Sequence, residues 1–180
     1  MSTKKLIIFL IFVGGIAGVY FLVDHRPKLN PIYSSSLLNL SSPAFVNDGI
    51  IPDRYTCFGE NISPPMVFSG VPGDTGSLIL IMDDPDATER PFTHWIVYDI
   101  PPTSKGLNDG DLSVGTVSRN SNGDDKYTGP CPTDGEHTYH FTLYAYDSIF
   151  SESIRTKAQL INSGHVLDKT ELLGRFGKVR

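Results

Sequence analysis

Leu78-Ile79-Leu80-Ile81-Met82 runs directly into Asp83-Asp84-Pro85-Asp86-Ala87, and Pro91-Phe92-Thr93-His94-Trp95 then opens a second apolar run that ends at Ile100. Each apolar run has the length and composition of a buried strand. The first strand ends in carboxylates, and the loop after it returns a histidine to the second. Acids and an imidazole are therefore expected together at one edge of a sheet. A third strand is expected at Thr138 to Tyr146, the clearest period-2 segment of the chain. There His137, Tyr139, Phe141, Leu143 and Ala145 share one face, and Thr138, His140, Thr142, Tyr144 and Tyr146 the other. Tyr127 to Gly135, rich in Gly and Pro, leads into it.

Outward from these strands, shorter ones are expected at Leu38–Leu40, at Met66-Val67-Phe68 and at Thr116 to Arg119. Asn47-Asp48-Gly49 is a tight-turn signal after Ala44-Phe45-Val46. Tyr55 to Pro65 reads as a polar connecting loop, Pro101 to Val114 as a loop, and Asn120 to Asp125 as a hydrophilic surface loop. After Asp147 the pattern changes. Ser153 to Ile161 carries helix formers and stops at Asn162-Ser163-Gly164, a C-cap signal. His165 to Phe176 reads as a second short helix or a helix–strand junction. Strands followed by helices confined to the C-terminus predict an α+β domain or a mainly β core with peripheral C-terminal helices, not a doubly wound fold.

The 180-residue chain carries a net charge of -5, with 17 Gly and 13 Pro. Lys and Arg form no run outside the N-terminus, so nucleic acid has no electrostatic footprint here. Lys4-Lys5 precedes Leu6 to Val23, a run of eighteen residues without charge. As a helix this run would be roughly 27 Å long, the thickness of a bilayer core. The basic flank predicts an N-terminus inside and a domain outside. Residues 1–24 are thus expected to be a membrane anchor, with a cleaved signal peptide and a secreted domain as the alternative. Ile16-Ala17-Gly18 is a poor cleavage site. Residues 25–36, with Pro27 and Pro31, read as a linker, and residues 37–180 as the domain.

The chemistry-bearing side chains recur at two strand edges, with Gly/Pro loops beside both. Asp84 and Asp86 are two apart, so only one need point into a cleft. His94 opens the second strand, and His137 and Tyr139 share a face of the third. A carboxylate beside an imidazole favours imidazolium and fixes its orientation. Gly129 and Gly135 could bring backbone N–H groups close to a ligand. Together these groups suit an oxyanion such as phosphate. Each has a plainer reading: a lone strand-edge histidine is usually structural, Asp-Pro-Asp is a common turn, and Tyr139 could be core. His140 and His165 are read as structural. Cys57 and Cys131 are either unpaired thiols or a disulfide, the latter outside the cytoplasm.

Asp83-Asp84-Pro85-Asp86-Ala87, Thr93-His94-Trp95-Ile96-Val97 and Tyr127-Thr128-Gly129-Pro130-Cys131-Pro132 through His137-Thr138-Tyr139-His140-Phe141 resemble the phosphatidylethanolamine-binding protein family, in its bacterial Raf kinase inhibitor-like branch. Tyr55-Thr56-Cys57, Asn61-Ile62-Ser63-Pro64-Pro65 and Gly164-His165-Val166-Leu167 fit as well. The resemblance covers about residues 37–180. It implies a large antiparallel sheet packed on a smaller one, and a small pocket that takes phosphate, acetate or a phosphoethanolamine head group. It carries over Asp84, His94, Gly129, Pro130, His137 and Tyr139 as ligand-binding residues, with Asp86 in support. No cofactor and no metal are implied. Ala87-Thr88 departs from the family's usual Ala-Pro, and Thr138 stands where the family often has Arg. The kinase-regulating role of eukaryotic members does not transfer to an exported domain. Cys57 and Cys131 both fall in loops of the expected pocket, and in an oxidising compartment they are expected to pair.

Two other functions compete with a binding module. Asp84, Asp86, His94 and His137 could hold a divalent metal for hydrolysis, although the histidines lack HxxxH spacing and no GxSxG nucleophile motif is present. The domain could also be an interaction protein, such as a protease or kinase inhibitor, with the pocket in its docking surface.

Overall fold

Ser77–Asp84 is buried along almost its whole length, and that burial explains its unbroken apolar sequence. Leu78, Leu80 and Met82 face one hydrophobic cluster, while Ile79 and Ile81 face a second on the opposite side. A strand covered on both faces needs no polar alternation. The computed structural model describes residues 37–88, 90–111, 113–150 and 156–177. The strands are Asn39–Ser41 (β1), Gly49–Ile50 (β2), Met66–Ser69 (β3), Ser77–Asp84 (β4), Phe92–Ile100 (β5), Gly106–Leu107 (β6), Thr116–Ser118 (β7), Glu136–Tyr146 (β8) and Val166–Gly177 (β9). One α-helix is described, Lys157–Asn162 (α1).

The larger sheet has the order β2-β9-β8-β4-β5-β7 and the smaller one β1-β3-β6. All pairings are antiparallel except β2 with β9. Leu40, Met66, Phe68 and Leu107 of the small sheet meet Leu80, Trp95, Phe141 and Leu172 of the large one in the main core. Each fully buried side chain of this kind contributes on the order of 1.5–3 kcal/mol. The mainly β, two-sheet architecture expected from the sequence is the one observed. On the outer face of the large sheet, Leu160 of α1 packs with Ile79, Ile96 and Tyr98. Lys157 of the same helix pairs with Asp83.

Two expectations are corrected. His165 to Phe176 is not a helix: Val166–Gly177 forms β9 and pairs with β8 over nearly its full length. Leu172, Gly174 and Phe176 are buried at period 2. The small residue Gly174 hides that period, and its bare backbone receives the Ile51 and Phe45 side chains. The stretch Pro101 to Val114, expected as loop only, contributes β6. Helix α1 is capped by Thr156, whose hydroxyl accepts from the Gln159 amide. The membrane segment expected over 1–24, the linker over 25–36 and the start of the expected helix at 153–155 lie outside the described residues. Among the described residues no helix is long and apolar enough to cross a membrane.

Candidate functional site

Strands β4, β5 and β8 bring the site together at one end of the large sheet. Alternation along β4 puts Asp84 on the same face as Leu80 and Met82, so the carboxyl points inward. On β8 the phase that buries Phe141 and Leu143 also turns Tyr139 and His137 inward. His94 should by alternation face away from Trp95. It does not, because β5 carries a bulge: Met82 pairs with Trp95 and Asp83 with Thr93, leaving His94 as an extra residue. A bulge re-aims the side chains beside it. Trp95 stays in the core, and His94 meets the Tyr139 ring edge-on at a centroid distance of 5.3 Å. Thr93 is turned outward to hydrogen-bond Asp83.

The polar contacts are closely arranged. His137 Nδ1 donates to Asp84 Oδ2 at 2.8 Å, and His94 Nε2 lies 3.9 Å from the same oxygen. Asp84 Oδ1 accepts the Asp86 amide at 2.9 Å. His94 Nδ1 donates to the Thr128 carbonyl oxygen at 2.7 Å. Asp84, His94 and His137 are 3%, 6% and 8% exposed. Burial by itself would raise the Asp84 carboxyl. The His94 and His137 imidazoles and the Asp86 amide outweigh that and hold it below the usual carboxylate range. Burial, reinforced by the Asp84 charge, pushes the Tyr139 hydroxyl well up, so it stays protonated.

These groups face a cavity of about 270 Å³. Phe92, Ala87 and Pro132 give it apolar walls, and Thr88, Thr128 and Thr133 give it hydroxyls. One wall is the segment 127–133, which is laced to the segment 55–61. Tyr127 Oη donates to the Tyr55 carbonyl at 2.6 Å, the Gly129 amide to Asn61 Oδ1 at 2.8 Å, and the Cys57 amide to the Pro130 carbonyl at 3.1 Å. A Cys57–Cys131 disulfide, with a Cα separation of 5.5 Å, closes the seam. Gly129 has no room for a side chain: a Cβ there would stand 2.6 Å from both Asn61 Oδ1 and the Tyr55 carbonyl oxygen.

Of the residues singled out in the sequence, Asp84, His94, Gly129, His137 and Tyr139 line the cavity together. Asp86 and Pro130 do not. Asp86 is exposed and accepts the Thr138 amide, tying the turn after β4 to β8. Pro130 is buried behind the wall, with its carbonyl spent on Cys57. His140 and His165 lie elsewhere, within reach of Glu171 and Asp147 respectively. Sequence reasoning missed Asn120, placed in a surface loop but only 6% exposed. Its Nδ2 donates to the Lys126 carbonyl and Thr128 Oγ1, and its Oδ1 accepts from the Asn122 and Asp124 amides. It thereby fixes the loop whose Thr128 carbonyl orients His94. An asparagine opening the turn Asn120 to Gly123 was the available signal. Among the described residues no group of three or more His, Cys, Asp or Glu is placed to hold a metal ion.

Two packed β-sheets with a buried acid–imidazole pocket at the strand ends of the larger one define a β protein with a small-ligand cavity. The chain belongs to the phosphatidylethanolamine-binding protein family, whose model matches residues 41–177. It is 45% identical over 148 residues to the UPF0098 protein of Methanothermobacter thermautotrophicus, covering 77% of this chain and 98% of that one. With the UPF0098 protein of Chlamydia pneumoniae it shares 39% over 149 residues, covering 78% and 99%. Among solved structures, a putative phosphatidylethanolamine-binding protein homolog from Chlamydia trachomatis superposes with a TM-score of 0.76 at 38% identity, covering 80% of this chain and 99% of that one. YbcL of E. coli, described as a new member of the mammalian family, superposes with a TM-score of 0.70 at 26% identity, covering 79% and 99%.

Proposed function

We propose that the pocket binds a small oxyanion: the phosphate of a phospholipid head group such as phosphoethanolamine, or a related free phosphate. The observation that carries this reading is the pair of buried imidazoles set around Asp84 and facing a cavity of about 270 Å³. Imidazoles, threonine hydroxyls and apolar walls suit an anionic group with a short organic substituent. The name of the family supports the phosphoethanolamine form. Binding rather than catalysis is favoured because Asp84 already accepts from His137 and from the Asp86 amide, leaving little of it to hold a metal or activate water. A ligand-dependent effect on a protein partner is consistent with such a module. The uncharged run Leu6 to Val23 behind Lys4-Lys5 supports a domain held on the outer, periplasmic side of a membrane, where a disulfide persists.

Calorimetric titration of the full-length chain in a non-ionic detergent, with phosphate and with phosphoethanolamine, tests the reading. Binding by the parent that is weakened in both His94→Gln and His137→Gln supports it. A folded parent that takes up neither ligand contradicts it.

A further inference from the structure

The partners of the two pocket histidines decide where their protons sit. His94 Nδ1 faces the Thr128 carbonyl oxygen, which can only accept, so Nδ1 carries a hydrogen. His137 Nδ1 faces ionised Asp84, which likewise only accepts. A neutral imidazole has a single N–H, and in both rings Nδ1 uses it. Each Nε2 is then a bare lone pair. In that state the site carries one net negative charge and two lone pairs, an arrangement that repels an anion. His94 Nε2 in addition sits 3.9 Å from Asp84 Oδ2, beyond hydrogen-bond reach. A proton on Nε2 turns that repulsion into attraction.

Among the described residues lining the cavity none is Lys or Arg. Asp84 from β4 is the acid already counted. Tyr139 from β8 stays neutral. Asp86, in the turn after β4, is directed to the Thr138 amide, and Glu136 at the start of β8 is paired with Arg175 of β9. The wall segment 127–133 contributes hydroxyls, amides and the Thr128 carbonyl, but no charged side chain.

We infer that the pocket takes up a proton with its anion, on Nε2 of His94 or His137, so that an oxyanion enters only as an imidazole becomes imidazolium. The inference rests on the anion-binding reading above. In the step a solvent or buffer acid gives its proton to Nε2, the new N–H donates to the anion, and no covalent bond of the anion changes. One proton neutralises the site and a second makes it positive. Affinity therefore rises as pH falls, by up to about tenfold per pH unit for each proton taken up. The protein would hold its ligand in a mildly acidic setting and release it in an alkaline one.

The test is calorimetry of the full-length chain with sulfate and with inorganic phosphate from about pH 5.5 to about pH 8, each in two buffers of different protonation enthalpy. Sulfate keeps one charge state over that range, so any protons counted belong to the protein. The expected result is sulfate binding that tightens about tenfold per pH unit as pH falls, with a heat that differs between buffers by the proton uptake. His137→Gln keeps a donor for Asp84 but cannot be protonated, and should lower the uptake and flatten the slope. Sulfate binding of constant affinity and identical heat in both buffers would overturn the inference while leaving the anion pocket standing. So would tight phosphate binding with no sulfate binding, because a ligand hydroxyl would then be donating to neutral imidazoles. Failure of both anions at every pH would instead remove the anion reading itself.

Discussion

His137 Nδ1 donates to Asp84 Oδ2 at 2.8 Å, and the two side chains reach each other from the ends of neighbouring strands, both less than a tenth exposed. Asp84 carries the one charge to which the histidines respond. Asp84→Asn keeps an acceptor for His137 but removes that charge. The variant is expected to fold and to lose about 1–3 kcal/mol at neutral pH. The carboxyl is held below its ordinary range in the fold. Its stabilisation is therefore present above the unfolded value of about 3.9 and lost as pH falls through the folded value. Urea unfolding at a series of acid pH values should show the parent losing stability in that window, with a flatter curve for Asp84→Asn. Parallel curves would contradict the assignment.

The seam between segments 55–61 and 127–133 makes a second prediction. Cys57 and Cys131 are 74 residues apart, so their bond restrains a long loop of the unfolded chain. The Cys57→Ser/Cys131→Ser variant should lose about 2–4 kcal/mol. It should also bind anions less tightly, because Cys131 and Pro132 belong to the cavity wall. Thermal unfolding with and without reductant gives the first number, and titration the second. A parent indifferent to reductant would refute it.

Gly129→Ala is a third. The added methyl would stand 2.6 Å from the Tyr55 carbonyl oxygen, a backbone atom that has little freedom to move. The cost should be about 1–3 kcal/mol or more, together with loss of the Gly129 amide bond to Asn61. Chemical denaturation measures it, and a neutral substitution would mean that the wall yields.

Asn120→Ala removes a side chain that makes four hydrogen bonds inside its loop and to Thr128. A loss of about 2–4 kcal/mol is expected. Because the Thr128 carbonyl fixes the His94 tautomer, the His94 ring signals in an NMR spectrum should shift as well, while those of His165 stay in place. An unchanged His94 would confine Asn120 to the loop.

Much of this was legible in the chain. Alternation in Thr138 to Tyr146 placed His137 and Tyr139 on the core face, and the double-sided burial of β4 showed in its apolar run. The inward turn of His94 was not legible. Period-2 reasoning puts it opposite Trp95, and only the pairing of Met82 with Trp95 and of Asp83 with Thr93 reveals the extra residue. β9 was missed because Gly174 breaks its apolar rhythm and because pairing with β8 outweighs local propensity. Asn120 was missed since polar residues in a Gly- and Asp-rich stretch look solvated until their partners are known.

The most direct test of the pocket is NMR of the imidazole nitrogens of His94 and His137 as phosphate is added to the full-length chain at neutral pH. The account predicts that phosphate moves the Nε2 signals from the lone-pair position toward the protonated one, with Nδ1 protonated throughout, while His140 and His165 are unaffected. Phosphate that leaves both Nε2 signals unmoved at saturation would place the anion elsewhere and contradict it.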